Sequence, residues 1–221
     1  MILLPLERAI FQENGERMSC VVGMVGGKRL TYEGWLMANE RKTESIVRRR
    51  LDKLGYFKSN RLVVEEQRSD SPRIDKLLKN ASKKGGGRGY PEFIITSRDI
   101  SDFLIVIECK ADARKHRSDT LDRYAEYAVD GVLLYASFLS KEFDVLAIAV
   151  SGETKATLRI SHYLHLKGTD KPVDLPASEI LTFDNYYNML LRGRVPRVGG
   201  NSGLARPSRS LIPIGCYAAS R

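Results

Sequence analysis

Cysteine is scarce in this chain, and its three cysteines, Cys20, Cys109 and Cys216, are far apart in 221 residues. The sequence has no Cys-x-x-Cys pair and no Cys/His pattern with metal-ligand spacing. A disulfide framework and a structural zinc site are therefore not expected, and the pattern is typical of a reducing, cytoplasmic compartment.

Long apolar runs are also lacking, because none approaches the roughly 20 residues that a membrane-spanning helix needs. The start, MILLPLERAI, has a short apolar part with no basic residue before it, so no signal peptide is predicted. The chain has no Gly-x-x-x-x-Gly-Lys-Ser/Thr motif and no convincing methyltransferase motif. We therefore expect no membrane partner, no helicase activity and no methyl transfer.

Charge of positive sign is plentiful. The net charge is +9, with 43% hydrophobic and 29% charged residues, which is the composition of a globular protein. Basic surface attracts phosphate backbones, which favours a nucleic-acid partner, although many basic proteins bind none.

The order of helical and strand-like segments predicts an α/β fold with a mixed central β-sheet flanked by α-helices. We interpret residues 1–34 as an N-terminal arm or extra strands, and 35–192 as the folded domain. Residues 193–221, rich in Gly, Pro, Ser and Arg, are interpreted as a flexible tail, a linker or a non-native extension. The predicted helices lie in Trp35–Leu54 (with Thr43 as candidate N-cap of a helix from Glu44, and Gly55 after its end), Arg73–Asn80, Thr120–Phe138 (with a candidate break at Gly131) and Ser178–Arg192. The predicted strands are Arg61–Glu65, Glu92–Thr96, Phe103–Cys109, 143–152 and 157–168.

The segment PEFIITSRDISDFLIVIECK, residues 91–110, carries the chemistry. If its two strands pair about a turn near residue 100, Glu92 lies opposite Glu108 on one face, with Lys110 on the same face. Two facing carboxylates repel each other unless a positive charge lies between them, and a divalent cation such as Mg²⁺ would supply it. Lys110 would then orient or deprotonate the attacking water, or neutralise charge that develops on a phosphate.

The alternative is that both glutamates are solvent-facing edge residues, with Lys110 paired to one of them. Two observations favour the metal interpretation. FLIVI is almost continuously apolar, which is typical of a central strand. The flanking segments are basic and are candidate DNA-binding surfaces: Lys83, Lys84 and Arg88 before the hairpin, and Arg114, Lys115 and His116 after it.

These residues resemble the signature of the PD-(D/E)XK nucleases, in which Pro-Asp opens one strand and Glu-x-Lys closes the next. The similarity extends over roughly residues 36–152. It is nearest to the N-terminal nuclease domains of type I restriction endonuclease subunits or of fused restriction–modification proteins. The resemblance implies a restriction endonuclease-like core and Mg²⁺-dependent hydrolysis of double-stranded DNA, with Mn²⁺ as a substitute.

Carried onto this chain, the resemblance makes Glu92, Glu108 and Lys110 the catalytic residues. Glu92 stands where the family usually has Asp, and a glutamate is one methylene longer. The metal ligands would be Glu92, Glu108 and Glu44, because some family members add a glutamate from an early helix; the alternative for Glu44 is an ordinary pair with Arg48. Thr120–Tyr124 has the Tyr but not the Gln of the Gln-x-x-x-Tyr element of type I enzymes. Tyr124 and Arg123 would approach DNA from this segment; the alternative is a core Tyr and a surface Arg.

The predicted function is thus the endodeoxyribonuclease domain of a restriction–modification system, with other restriction–modification subunits as candidate partners. A homodimer would supply two active sites for the two DNA strands. One alternative is a catalytically inactive nuclease fold that binds DNA or assembles with restriction, helicase or methyltransferase subunits. Another is an RNA nuclease or an unrelated binding protein.

Overall fold

The computed structural model describes residues 7–13, 16–22, 24–25, 28–29, 32–83 and 85–194, with side chains for 41–83 and 85–192. The helices of this part are α1 (Tyr32–Lys53), α2 (Pro72–Leu78), α3 (Ala128–Leu139) and α4 (Phe183–Arg194). Its strands are β1 (Glu7–Glu13), β2 (Glu16–Val22), β3 (Met24–Val25), β4 (Lys28–Arg29), β5 (Leu62–Glu65), β6 (Phe93–Ser97), β7 (Phe103–Lys110), β8 (Asp144–Ser151), β9 (Arg159–His165) and β10 (Val173–Leu175). No described helix combines the length and apolarity that crossing a membrane requires.

Strands β5 to β10 form one mixed sheet in the order β10-β9-β8-β7-β6-β5. Neighbouring strands are antiparallel except for β7 and β8, which run parallel and are joined through α3. Helices α1 and α4 cover one face, and α2 and α3 cover the other. The predicted α/β fold, a mixed sheet flanked by helices, is confirmed.

Strand β7 lies in the interior of this sheet, and all eight of its residues are buried. Phe103, Ile105, Ile107 and Cys109 belong to the apolar cluster under α1 and α4. Leu104 and Val106 pack on the other face, among residues of α2 and α3. The prediction of a central strand is confirmed, and Glu108 is not an edge residue. Strand alternation places Glu108 and Lys110 on the α3 face.

Helix α1 corrects one prediction. It begins at Tyr32, so Thr43 lies in its middle and does not cap it. Thr43 is completely buried, and its hydroxyl donates to the Gly152 carbonyl at 3.0 Å and approaches the Lys110 carbonyl at 3.3 Å. The predicted end is confirmed: Gly55 has a φ of +83°, and the Tyr56 amide donates to the Leu51 carbonyl at 3.0 Å.

The helix predicted over Thr120–Phe138 is wrong in its first half, because α3 begins at Ala128. The buried Asp130 carboxylate accepts the amides of Ser118 at 3.1 Å and Arg123 at 3.0 Å, together with the Ser118 hydroxyl. Leu121 has a φ of +58°, which a helix cannot accommodate. The loop before α3 is therefore folded around Asp130. Gly131 lies inside the continuous helix and does not break it.

Two smaller differences lie near the C-terminus of the sheet domain. Strand β10 has three residues, too few for a visible alternation, and it was not predicted. Helix α4 begins at Phe183, five residues later than predicted, and extends to Arg194. The tail prediction for residues 195–221 lies outside the described residues.

Replacing Thr43 with Val should lower the free energy of unfolding by about 1–3 kcal/mol, because the Gly152 carbonyl loses a buried donor without a change in side-chain shape. Urea unfolding at neutral pH measures this. The matched control is Ser45→Ala, whose hydroxyl donates to the Arg41 carbonyl at 2.7 Å on the exposed side of the same helix. Equal losses for the two variants would contradict the role given to Thr43.

Candidate active site

The site is built around Glu108, near the end of β7, whose side chain has no exposed surface. Its Oε1 accepts a hydrogen bond from the Lys83 ammonium and lies 3.4 Å from the Lys110 Nζ. Its Oε2 is buried and accepts no hydrogen bond from any residue that the structure describes. A buried carboxylate oxygen without a partner is costly, so Oε2 marks a position where a ligand would be stabilised.

The hairpin has the predicted register at Phe93–Ile107 and Ile94–Val106. Glu92 lies just beyond the last of these pairs, where its amide donates to the Ile107 carbonyl at 3.0 Å, and its carboxyl lies near that of Glu108. Glu92 itself precedes β6, which begins at Phe93, one residue later than predicted. The hairpin therefore brings the two carboxylates to the same end of the sheet.

The Glu92 carboxyl is partly buried among other acids. Burial raises its pKa to about 8, and the charges of Glu108 and Glu44 add to the effect. Lys83 and Lys110 offset only part of this rise. Glu92 therefore carries a proton through much of the neutral range unless a further cation stabilises its charged form.

Glu44 approaches from α1, on the opposite side of the sheet. The Thr43 hydrogen bonds hold this turn of the helix against the ends of β7 and β8. Glu44 and Glu92 line a common cavity of about 500 Å³. The three acids named from the sequence thus converge at one end of the hairpin.

Lys83 is the residue whose role the sequence analysis missed. It was predicted to contact DNA, but its side chain is 15% exposed and pairs with Glu108. Its Nζ also lies 5.2 Å from the centroid of the Tyr135 ring. Gly131 makes room for this arrangement, because a Cβ there would lie 2.9 Å from the Tyr124 carbonyl oxygen and 3.3 Å from the Lys83 Cε. A glycine inside an apolar helix was the available signal for such close packing.

Four of the other predicted DNA-binding residues lie in ion pairs outside the carboxylate cluster. Arg88 forms a two-point pair with Asp75, Arg114 pairs with Asp112, and both Lys115 and Arg123 pair with Glu126. The His116 ring nitrogens lie 2.8 Å from the hydroxyls of Ser151 and Ser161, and burial lowers its pKa to about 4. His116 is therefore neutral near pH 7 and held inside the chain. Lys84 lies outside the described residues.

No group of three or more His, Cys, Asp or Glu side chains within the described residues is arranged to hold a metal ion. The predicted ligands Glu44, Glu92 and Glu108 are thus not assembled as a complete set. Mg²⁺, however, commonly takes one or two protein carboxylates and completes its shell with water and substrate phosphate. The unpartnered Oε2 of Glu108, opposite Glu92, fits a site of that kind.

Comparison with known proteins gives no relative: no family model, no curated protein and no solved structure matches the chain.

The raised pKa of Glu92 predicts a pH-dependent stability. The folded state holds the proton more tightly than the unfolded state, in which a glutamate has its usual pKa near 4.5. Stability from this group is therefore complete below about pH 4.5 and is lost as the pH rises through about 8, by an amount on the order of a few kcal/mol. Thermal melts of the metal-free protein between pH 5 and 9 should show the decline, and Glu92→Gln should reduce it.

The control for this measurement is Glu179→Gln, since Glu179 is a glutamate with a 66% exposed side chain that pairs with Arg50. It should retain the wild-type pH profile. Identical pH profiles for wild type and Glu92→Gln would show that Glu92 is not the group responsible.

Proposed function

We propose that this chain is a metal-dependent endodeoxyribonuclease domain that hydrolyses DNA phosphodiester bonds. The observation that carries the proposal is the completely buried Glu108 carboxylate near Glu92, with one oxygen shared by two lysines and the other without a partner among the residues that the structure describes. A buried carboxylate with an oxygen that has no partner lowers the stability of the fold, and a bound cation would offset this cost. A divalent cation bound there supplies Lewis-acid stabilisation of the charge on a phosphate.

Each residue has a part in hydrolysis. A water oxygen attacks phosphorus and gives up a proton to solvent, the bond from phosphorus to the leaving sugar oxygen breaks, and that oxygen takes up a proton from solvent. The Lys110 ammonium, beside Glu108, would orient the attacking water or neutralise charge that develops on the phosphate. The Glu92 and Glu108 carboxylates would hold the cation that brings the phosphate to this position, and Glu44 would complete the acidic wall.

The PD-(D/E)XK resemblance supports this proposal through features beyond the motif itself. Helix α1 carries Glu44 to the site, the hairpin brings the two acids to the same end of the sheet, and α3 and then β8 follow the Glu-x-Lys strand after a loop. The family also implies a core sheet with helices on both sides. We further propose that the domain belongs to a restriction–modification system, in which other subunits or domains supply target recognition.

A second candidate is an inactive nuclease fold that binds DNA or assembles with other subunits. The observation that favours it is the pair of ammonium groups at Glu108 Oε1, which already neutralise the carboxylate without a metal. The two proposals differ in a single outcome, which is strand cleavage with Mg²⁺ or Mn²⁺.

Nicking of supercoiled plasmid DNA tests the proposal. We expect wild type to nick with Mg²⁺, and Glu108→Gln and Lys110→Met to lower the rate by about 10²–10⁴-fold, because each removes a group that acts at the reacting phosphate. The controls are Glu142→Gln and Lys141→Met, which change a partly exposed acid paired with Arg73 and an exposed lysine beside Phe138. DNA binding without nicking in either metal would favour the inactive module.

Lys83→Met should strengthen metal binding by about tenfold or more, since it removes a positive charge that competes with the cation for Glu108. Isothermal titration with Mn²⁺ measures the affinity, and Lys141→Met is again the control. An unchanged or weaker affinity in Lys83→Met would mean that Lys83 does not compete with the metal. The metal-free variant should also be less stable, because Glu108 keeps only one cation.

A further inference from the structure

The cavity that Glu44 and Glu92 line has a second wall that the carboxylate site does not use. This wall consists of arginines from α1 and of a glutamate and a glutamine from the loop that follows β5. Ligand pockets commonly have volumes of about 300–1,000 Å³, so a cavity of about 500 Å³ takes one nucleotide-sized group beside the acids. The lining residues that matter here are Arg41, Arg48, Glu66 and Gln67.

Two exposed aromatic rings each have an arginine over them, and one of these arginines, Arg48, lines the cavity. The guanidinium of Arg48, which lines the cavity, is 5.4 Å from the centroid of the Phe57 ring, and that of Arg68 is 5.7 Å from the Tyr90 ring. Tyr90 is 43% exposed and Phe57 is 38% exposed. Of the aromatic side chains that the structure describes, these two are the exposed ones.

Hydrogen bonds hold residues 66–70, the loop that follows β5, in a fixed conformation. The Glu65 carboxylate accepts the Ser69 hydroxyl and the Asp70 amide, both at 2.6 Å. Gln67 has a φ of +60°, and its amide donates to the Pro91 carbonyl at 3.1 Å. A non-glycine residue held in the left-handed region is strained, and such residues are concentrated at functional sites.

The same contacts connect the two rings to the cavity. Glu66 pairs with Arg48. Gln67, which also lines the cavity, contacts Pro91, and this proline lies between Tyr90 and Glu92 in the chain. Tyr90 is tied to the catalytic side as well, since its amide donates to the Tyr135 hydroxyl at 3.3 Å. Arg48 thus contacts both the cavity and the Phe57 ring, and Tyr90 lies two residues before Glu92 in the chain.

Exposed aromatic rings beside arginines are elements with which proteins hold unpaired bases. Bases stack on the rings, and arginines contact the backbone and add cation–π attraction. In a duplex the bases are already stacked and paired, so the rings would have no base to receive.

We infer that the cavity receives an unpaired nucleotide, and that the substrate of this site is DNA with a single-stranded segment next to the scissile phosphate. The inference rests on the proposed nuclease function and refines the expectation of duplex DNA. Tyr90 and Phe57 provide the stacking surfaces, and Arg41, Arg48 and Arg68 supply positive charge along the strand.

The test compares DNA hairpins of identical sequence that are blunt or carry a single-stranded overhang of about ten nucleotides, the length that one binding surface of this kind covers. Fluorescence anisotropy gives the affinity in EDTA and in Ca²⁺, and 2-aminopurine in the overhang reports stacking. We expect wild type to bind the overhang substrate at least about tenfold more tightly than the blunt one, with quenched 2-aminopurine. Tyr90→Ala and Phe57→Ala should each weaken overhang binding by about 5- to 150-fold.

The controls separate stacking from folding. Tyr90→Phe keeps the ring and should bind as wild type does, and Val173→Ala removes a 61% exposed apolar side chain from β10, at the far edge of the sheet. Equal affinity for blunt and overhang DNA, or unchanged overhang binding in both alanine variants, would overturn the inference. If the protein nicks plasmid DNA but binds blunt and overhang DNA equally, this inference alone is overturned. If it prefers the overhang but cleaves no substrate, the nuclease proposal and the assignment of a scissile phosphate are overturned, and only the unpaired-nucleotide site in the cavity is supported.

Discussion

The burial of one carboxylate determines how this end of the molecule is organised. Glu108 stands near the end of the central strand with no exposed surface, and an ionised carboxylate there must be compensated by nearby charge. Lys83 comes from the segment before the hairpin, and Lys110 comes from the same strand as Glu108. Gly131, on the crossover helix, makes room for the Lys83 side chain. Elements from three parts of the chain are therefore positioned by the requirements of a single acid.

The pairing of the two acids could be predicted from the sequence because it is local. A short turn between two apolar runs leaves few registers, and the one centred near residue 100 is the one observed. The identity of the central strand also followed from a local property, its unbroken apolar run. The helix end at Gly55 and the strand over 62–65 likewise followed from local sequence patterns.

The remaining features depend on contacts that a local pattern cannot contain. Thr43 has the side chain of a helix cap, but its acceptors lie on β7 and in the turn after β8, so it serves the middle of α1. The periodicity of the segment from Thr120 is typical of a helix, but the amides of Ser118 and Arg123 donate to the Asp130 carboxylate and the segment forms a loop. Lys83 belongs to a basic run that suggests a solvated surface, and only the packing of Tyr135 and Gly131 turns it inward.

The parallel pairing of β7 with β8 has a consequence for how the site is assembled. The β6–β7 hairpin closes over a five-residue turn, whereas β8 can join β7 only after the chain from Ala111 to Phe143 has been ordered. Closing the short hairpin, which brings Glu92 and Glu108 together, costs less loop entropy than closing the long crossover. In the folded protein the crossover helix excludes water from the acids, which strengthens their repulsion, and its Gly131 leaves space for the Lys83 side chain that offsets this repulsion. The helix that completes the parallel pairing is therefore also the element that makes room for charge compensation at Glu108.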